Sequence, residues 1–251
     1  ATIRTEFGSE PEDASAIELM FNLPVINGQA AELISLSDER FILEGGNSTL
    51  VHALAGPQME HIHTGRALTH LMPHENGQVG LRFADGSADL ADHVIVTVPA
   101  PLMRTIDYGG LLPASWQTVV AGINSGKNDK INAGYASRPW EPLIGAAGAA
   151  WAVSTTGPGV FSEFWDASSG QSGEAGVLTW FFGGKQVDAL HSGMIEATLR
   201  SAEAAVAPAI PGLHARSMRR TGWSVDPYSR GGYSAFRPGD LTGQPDRHCS
   251  V

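Results

Sequence analysis

Cysteine is nearly missing from this chain of 251 residues: Cys249 stands alone, two positions before the final Val251. An internal disulfide and a thiolate cage for zinc or an iron–sulfur cluster are therefore excluded. Basic residues are also scarce, with 16 Lys and Arg against 26 Asp and Glu and a net charge of −10. That sign is wrong for gripping a phosphate backbone or anionic lipid, so no nucleic acid and no membrane is expected as a partner. No apolar run approaches the roughly 18 residues of a bilayer span, and Ala1-Thr2-Ile3-Arg4 lacks a basic segment leading into an apolar one. With no address visible, a soluble, cytoplasmic protein is expected. The start at Ala1 rather than Met and the stop at Val251 suggest processing or truncation.

Several chemical signatures are missing too. There is no G-x-S-x-G elbow for a serine nucleophile, no H-E-x-x-H helix for zinc, and neither G-x-G-x-x-G nor G-x-x-x-x-G-K-[ST] to cradle phosphates. Hydrolase chemistry is disfavoured, and the chain carries no recognisable pyrophosphate grip of its own.

What is present is an ordinary globular composition, 42% apolar and 17% charged, long enough for one large or two modest domains. Ser9-Glu10-Pro11 reads as the start of a helix running to about Asn22. Phe41 to Glu44 reads as a strand, Gly45-Gly46 as a turn, and the stretch through Leu54 as a helix closed by Gly56. Met59 to His63, Ala67 to Met72 and Gln78 to Ala84 have strand character, with Asn76-Gly77 and Asp85-Gly86 as hairpin turns. They lead into Val94 to Val98, which reads as a strand covered on both faces. Further on come a helix from Pro113 to Asn124, strands from Lys130 to Ser137 and Val177 to Phe182, and a long amphipathic helix from Gln186 to Val206. The Gly-rich stretch 157 to 175 reads as an exposed loop. The fold class is α/β in the broad, mixed α+β sense.

His61 and His63 would share one face of a strand, a beginning for a metal site, but no carboxylate accompanies them and a solvated hairpin is the better reading; no metal is expected. The aromatic stretch from Thr221 through Trp223, Asp226, Pro227, Tyr228, Gly231, Gly232 and Tyr233 to Gly239 offers flat apolar faces suited to a planar cofactor or a cation, although taken alone core and turn are the better reading. Lys130, taken alone, would be a surface lysine at a strand start.

This aromatic stretch resembles the W-x-x-D/E-x-Y-S-x-G-x-Y-x-x-x-x-P-G segment of the flavin-containing amine oxidases, the family of monoamine, polyamine and L-amino-acid oxidases. Three other segments agree in order. Gly45-Gly46 through Ala55 is similar to that family's G-G-x-x-x-L-x-x-A-L-A turn and helix, and Asp92 through Pro99 to its strand ending in proline. Lys130, ten residues before Trp140, falls where the family carries its flavin-side lysine. The resemblance implies oxidation of a C–N bond to an imine, with hydride passing to FAD. It implies that Lys130 is the catalytic residue, holding a water beside the flavin, and that Trp223 packs near the ring. Tyr233 becomes one wall of a cage aligning a neutral amine. Gly45, Gly46, Leu68, Pro99, Trp223 and Gly232 become cofactor-binding, Leu68 within an Arg66-Ala67-Leu68 strand facing the adenine. Gly232 occupies the place of a flavin-linked cysteine in some relatives, so FAD would be noncovalent.

The resemblance covers the middle of the family fold and lacks its N-terminal Rossmann βαβ motif. It implies a substrate-binding domain formed by 1–43 and 105–220, and an incomplete FAD-facing portion formed by 44–104 and 221–251. The expected partners are a small-molecule amine or amino acid and a second chain carrying the pyrophosphate site, and exposed apolar faces are expected to drive self-association. A second reading stays open: a flavin-free remnant working as a binding module or as a cofactor-independent isomerase, cyclase or lyase.

Overall fold

In the computed structural model the described residues are 2–21, 25–27, 30–32, 43–144, 149–151, 159–191, 193–240 and 242. In chain order the elements are α1 (Thr2–Phe7), α2 (Ala16–Phe21), β1 (Val25–Asn27), β2 (Ala30–Glu32), α3 (Ser48–Ala55), β3 (Leu68–Pro73), β4 (Val79–Phe83) and β5 (Ala88–Ala91). Next come α4 (Ala100–Met103), α5 (Ala114–Gly122), β6 (Asn124–Ser125), β7 (Asn128–Tyr135), α6 (Glu141–Ile144), β8 (Ala149–Trp151), β9 (Glu163–Asp166) and β10 (Gly176–Gly183). The last elements among the described residues are α7 (Gln186–His191), α8 (Ile195–Val206), β11 (Ser217–Arg220) and β12 (Ser234–Ala235). This is the mixed α/β class the sequence implies. Packing divides the chain into two compact units, one of residues 1–21, 98–103 and 118–251, the other of 22–97 and 104–117.

The first unit is built on a five-stranded sheet in the order β11-β7-β10-β9-β8, in which every paired neighbour is antiparallel. Side chains alternate along a strand, so each strand serves two faces. On one face Ile131, Ala133 and Tyr135 of β7 join Leu178, Trp180 and Phe182 of β10, and Leu199 and Ala202 of α8 complete the same core. Phe161 meets Trp180 edge-on and Phe164 meets it at a tilt, each with centroids 4.9 Å apart, a spacing that adds aromatic attraction to the burial of area. The opposite face carries Lys130, Asn132, Thr179 and Phe181, with the Thr179 hydroxyl donating to Asn132 Oδ1 at 2.7 Å.

Helix α1 lies against β7 and β10 at a close approach. The Asn128 amide donates to the carbonyls of Thr5 (2.8 Å) and Arg4 (3.2 Å), and Lys127 N–H donates to Gly8 O (2.8 Å). A methyl at Gly126 would overlap the Phe7 carbonyl, so the docking depends on glycine there. The buried Glu10 carboxylate then accepts from Arg4 at 2.6 Å and from Lys185 N–H at 2.8 Å. Burial pushes the Glu10 carboxyl up, but these donors outweigh it and hold it below the usual glutamate range.

In the second unit, β3, β4 and β5 form an antiparallel meander. Its turns are those the sequence marks, with Asn76, Gly77 and Gly86 all at positive φ. Arg66 lies over the Phe83 ring at 4.2 Å and donates to the Ser87 hydroxyl, closing one end of the meander.

The structure corrects several local readings. The helix placed at Ser9 is instead α1 before it and α2 after it. Tertiary bonds to Glu10 hold 9–15 in turns, and Ser15 starts the second helix by accepting from Glu18 N–H at 3.0 Å. Met59 to His63 is not a strand: a 3-10 turn spans Gly56–His61, so His61 and His63 share no strand face. Gly56 closes α3 only to pass the chain into that turn. Val94 to Val98 forms no strand, Ile95 is 88% exposed, and no ladder partner lies beside it among the described residues. The helix from Gln186 to Val206 is two helices, because Gly193 at φ +79° accommodates a reversal that a side chain would resist. Part of 157 to 175 is β9 and core, since Phe161 and Phe164 are buried. The strand expected at Phe41 falls mostly outside the described residues.

Candidate functional site

The chemistry-bearing residues of the first unit converge on β7. Lys130 pairs with Phe181 across the β7–β10 ladder. Its Nζ lies 5.1 Å from the Phe181 ring centroid and 5.3 Å from that of Trp165. A cation over aromatic faces is held by the ring quadrupoles without committing its N–H donors. Lys130 is half-buried.

The preceding residue, Asp129, is completely buried. Its Oδ2 accepts from Arg220 Nε (3.0 Å) and Nη2 (2.6 Å). Its Oδ1 accepts from the Thr221 hydroxyl (2.7 Å), Gly222 N–H (2.6 Å) and Trp223 N–H (3.2 Å). Arg220 also donates to the Leu190 carbonyl at 2.9 Å, tying the end of α7 to the same point. Thr221 brackets Lys130, accepting its N–H at 3.0 Å through the hydroxyl and donating its own N–H to Lys130 O at 3.1 Å.

From this anchor the aromatic stretch turns back along the chain before Lys130. Gly231 N–H donates to Trp223 O (3.3 Å), Gly232 N–H to Gly126 O (2.7 Å), and Gly126 N–H to Tyr233 O (2.7 Å). Ser234 and Ala235 then pair with Ser125 and Asn124. The buried Glu18 of α2 closes the far end, its Oε1 accepting Phe236 N–H at 2.6 Å. A side-chain carbon at Gly232 would sit 3.0 Å from Asn128 Cβ and 3.1 Å from its backbone N, so glycine suits this approach. Trp223 and Tyr233 are about half exposed, at 49% and 51%. Two rings of this size held on a fixed backbone with half their surface uncovered suit a flat apolar partner.

Of the residues singled out in the sequence, the structure thus brings together the main chains of Lys130, Trp223, Gly232 and Tyr233. Pro99 belongs to the same unit, where its carbonyl accepts the N–H groups of Leu102 and Met103 at the start of α4. Gly45, Gly46 and Leu68 belong to the other unit. There Gly45 (φ +80°) and Gly46 (φ +85°) make the turn into α3, with the Thr49 hydroxyl donating to Gly46 O at 2.7 Å. Leu68 begins β3 opposite Phe83. Among the described residues no group of three or more His, Cys, Asp or Glu is arranged to hold a metal ion, and no helix is long and apolar enough to cross a membrane.

Sequence reasoning missed Asp129, Thr221, Glu18 and Trp165. Asp129 had a signal: it shares the alternation of Ile131, Ala133 and Tyr135, and an acid on the apolar side of a strand must be paired. Trp165 was hidden in a stretch read as loop.

Half-exposed aromatic residues at Trp223 and Tyr233, and a lysine with no side-chain hydrogen bond among the described residues, are compatible with an isoalloxazine ring. Comparison with known proteins points the same way. The sequence model described as flavin containing amine oxidoreductase matches residues 11–249. Cyclohexylamine oxidase from Brevibacterium oxydans IH-35A superposes with a TM-score of 0.75 at 16% identity, covering 98% of this chain and 54% of that one. A double mutant of putrescine oxidase gives 0.69 at 19%, covering 82% and 45%, and putrescine oxidase bound to putrescine 0.68 at 19%, covering 80% and 44%. The chain spans about half the length of the solved structures it matches. No curated protein matches it.

Proposed function

Since the chain belongs to the flavin containing amine oxidoreductase family, we propose that it forms the middle of an FAD-dependent oxidase that converts the C–N bond of a small amine or amino acid to an imine. FAD, when bound, supplies the two-electron acceptor for that oxidation. The observation that carries the proposal is the Asp129-centred hydrogen-bond hub, which holds Lys130 and Trp223 on one rigid piece of backbone.

Each residue then has a part. Lys130 directs N–H donors from an aromatic floor of Trp165 and Phe181, and can hold a water at the reacting face and pass a proton through it. Trp223 offers its exposed indole to the ring system, and Tyr233 its phenol face to the amine. Gly232 has no nucleophile to offer, so attachment of FAD is noncovalent. The Gly45-Gly46 turn, Leu68 and Pro99 are assigned to cofactor binding. Residues 1–43 and 105–220 form the substrate side of the enzyme, and 44–104 and 221–251 the FAD-facing side. The family match favours this reading over a flavin-free remnant.

The pyrophosphate grip, absent from this sequence as a motif, is supplied by further polypeptide, on the same or a second chain. The test is to combine the protein with the flanking segments of a family relative and FAD, then pass the mixture through a desalting column. A retained flavin spectrum, with peroxide released on adding amines, supports the proposal. A colourless assembly that consumes no oxygen with any amine or amino acid refutes it.

A further inference from the structure

An ionised carboxylate is costly to bury, and offsetting that cost takes a well-aligned cation together with hydrogen bonds to its remaining lone pairs. Asp129 is fully buried yet gathers five donor contacts, three of them from consecutive residues, Thr221, Gly222 and Trp223. The three donors other than Arg220 come from one turn, so in satisfying the carboxylate they also tie that turn to the strand carrying Lys130. The Thr221 hydroxyl gives its proton to Asp129, which leaves its lone pairs for Lys130 N–H. Asp129 therefore fixes Trp223 directly and Lys130 through one intervening hydroxyl. The Phe181 and Trp165 rings hold only the tip of the lysine; its root is held here.

We propose that Asp129 is a positioning residue that sets the Lys130 strand and the Trp223 turn in fixed register, with Thr221 as the link. The roles of Lys130 and Trp223 rest on the function proposed above, whereas the hydrogen-bond linkage does not. Asparagine cannot replace the carboxylate, because one of its two terminal atoms becomes a donor facing either Arg220 or the 221–223 turn. Valine at 221 keeps the shape of threonine and loses the link, and serine keeps the link.

The test is residue-resolved amide exchange on the full chain, comparing Asp129→Asn, Thr221→Val and Thr221→Ser with the unaltered protein. In Asp129→Asn the Gly222 and Trp223 amides exchange about 10- to 100-fold faster, the range set by loss of hydrogen bonds to a charged group, while amides of Leu178 to Phe182 keep their rates. In Thr221→Val the Lys130 amide speeds up about 3- to 10-fold, and Thr221→Ser restores it. Equal acceleration at Gly222, Trp223 and the β10 amides would make Asp129 a general stabiliser and overturn the proposal. So would unchanged exchange at Gly222 and Trp223. If Asp129→Asn does not fold, the valine and serine pair decides: no change at Lys130 with valine, or no restoration with serine, also overturns it. These readings need no flavin, so an assembly that never binds FAD would refute the proposed function and leave this linkage standing. An assembly that works normally while the exchange pattern is absent would refute the linkage alone.

Discussion

Lys130 and Phe181 are cross-strand partners whose side chains meet, the ammonium 5.1 Å from the phenyl centroid. Such a contact is worth about 0.5–2 kcal/mol, depending on how far the pair is withdrawn from water. An aliphatic side chain of similar length can pack on the same rings. Lys130→Met is therefore expected to shift the thermal midpoint by no more than about 4 °C. In the FAD-loaded assembly the same substitution is expected to slow turnover by about 100-fold or more, the scale of losing a positioned proton carrier. Calorimetry and stopped-flow absorbance check the two halves separately.

Tyr233 is half exposed, and its backbone is fixed by Gly126. Tyr233→Leu should leave the midpoint close to the starting value and raise KM for the amine by about 2- to 10-fold, the worth of one aromatic face. Steady-state kinetics over a series of amines would show it.

Gly126 is under a different constraint. A methyl there overlaps the Phe7 carbonyl, whereas at Gly170, which has φ +76°, nothing lies within 4 Å. Gly126→Ala is expected to cost more than about 4 kcal/mol or to prevent folding, because two backbone segments must separate. Gly170→Ala should cost about 1–2 kcal/mol, for backbone conformation alone. Urea titration of both variants measures the contrast.

Two of the sheet's five strands were easy to anticipate because they alternate apolar residues or run continuously apolar: β7 and β10 lie within two residues of their expected ends. The Asn76-Gly77 and Asp85-Gly86 turns were equally plain, since few residue pairs tolerate those backbone angles. Failures occurred where distant residues decided the outcome. Pro11 looks like a helix start, but the buried Glu10 beside it is captured by Arg4 and Lys185. Val94 to Val98 has the composition of a central strand, yet a strand needs neighbours, and Ile95 has none among the described residues. In the site, motif order pointed to Lys130, Trp223 and Tyr233. The residues holding them, Asp129, Thr221 and Glu18, act through hydrogen bonds that no short sequence window contains.

Glu10 also predicts an acid response. Its carboxyl in the folded chain lies below the ordinary value of 4.5 because Arg4 and the Lys185 N–H outweigh the effect of burial. The folded value being the lower one, the stabilisation is complete above the unfolded value and is lost as pH falls through the folded value. Glu10→Gln should therefore be less stable than the parent at neutral pH, with the difference shrinking as pH drops below about 4.5. Thermal midpoints across an acid series would reveal it, and a constant difference would contradict the assignment.

The most direct test of the central claim is the flavin absorption of the FAD-loaded assembly when amine is added without oxygen, followed with Lys130 intact and with Lys130→Met. The account predicts rapid bleaching with lysine present, and either much slower bleaching or much slower return of colour on admitting air when it is replaced by Met. Identical traces for the two proteins, or no bleaching with any amine, would contradict it.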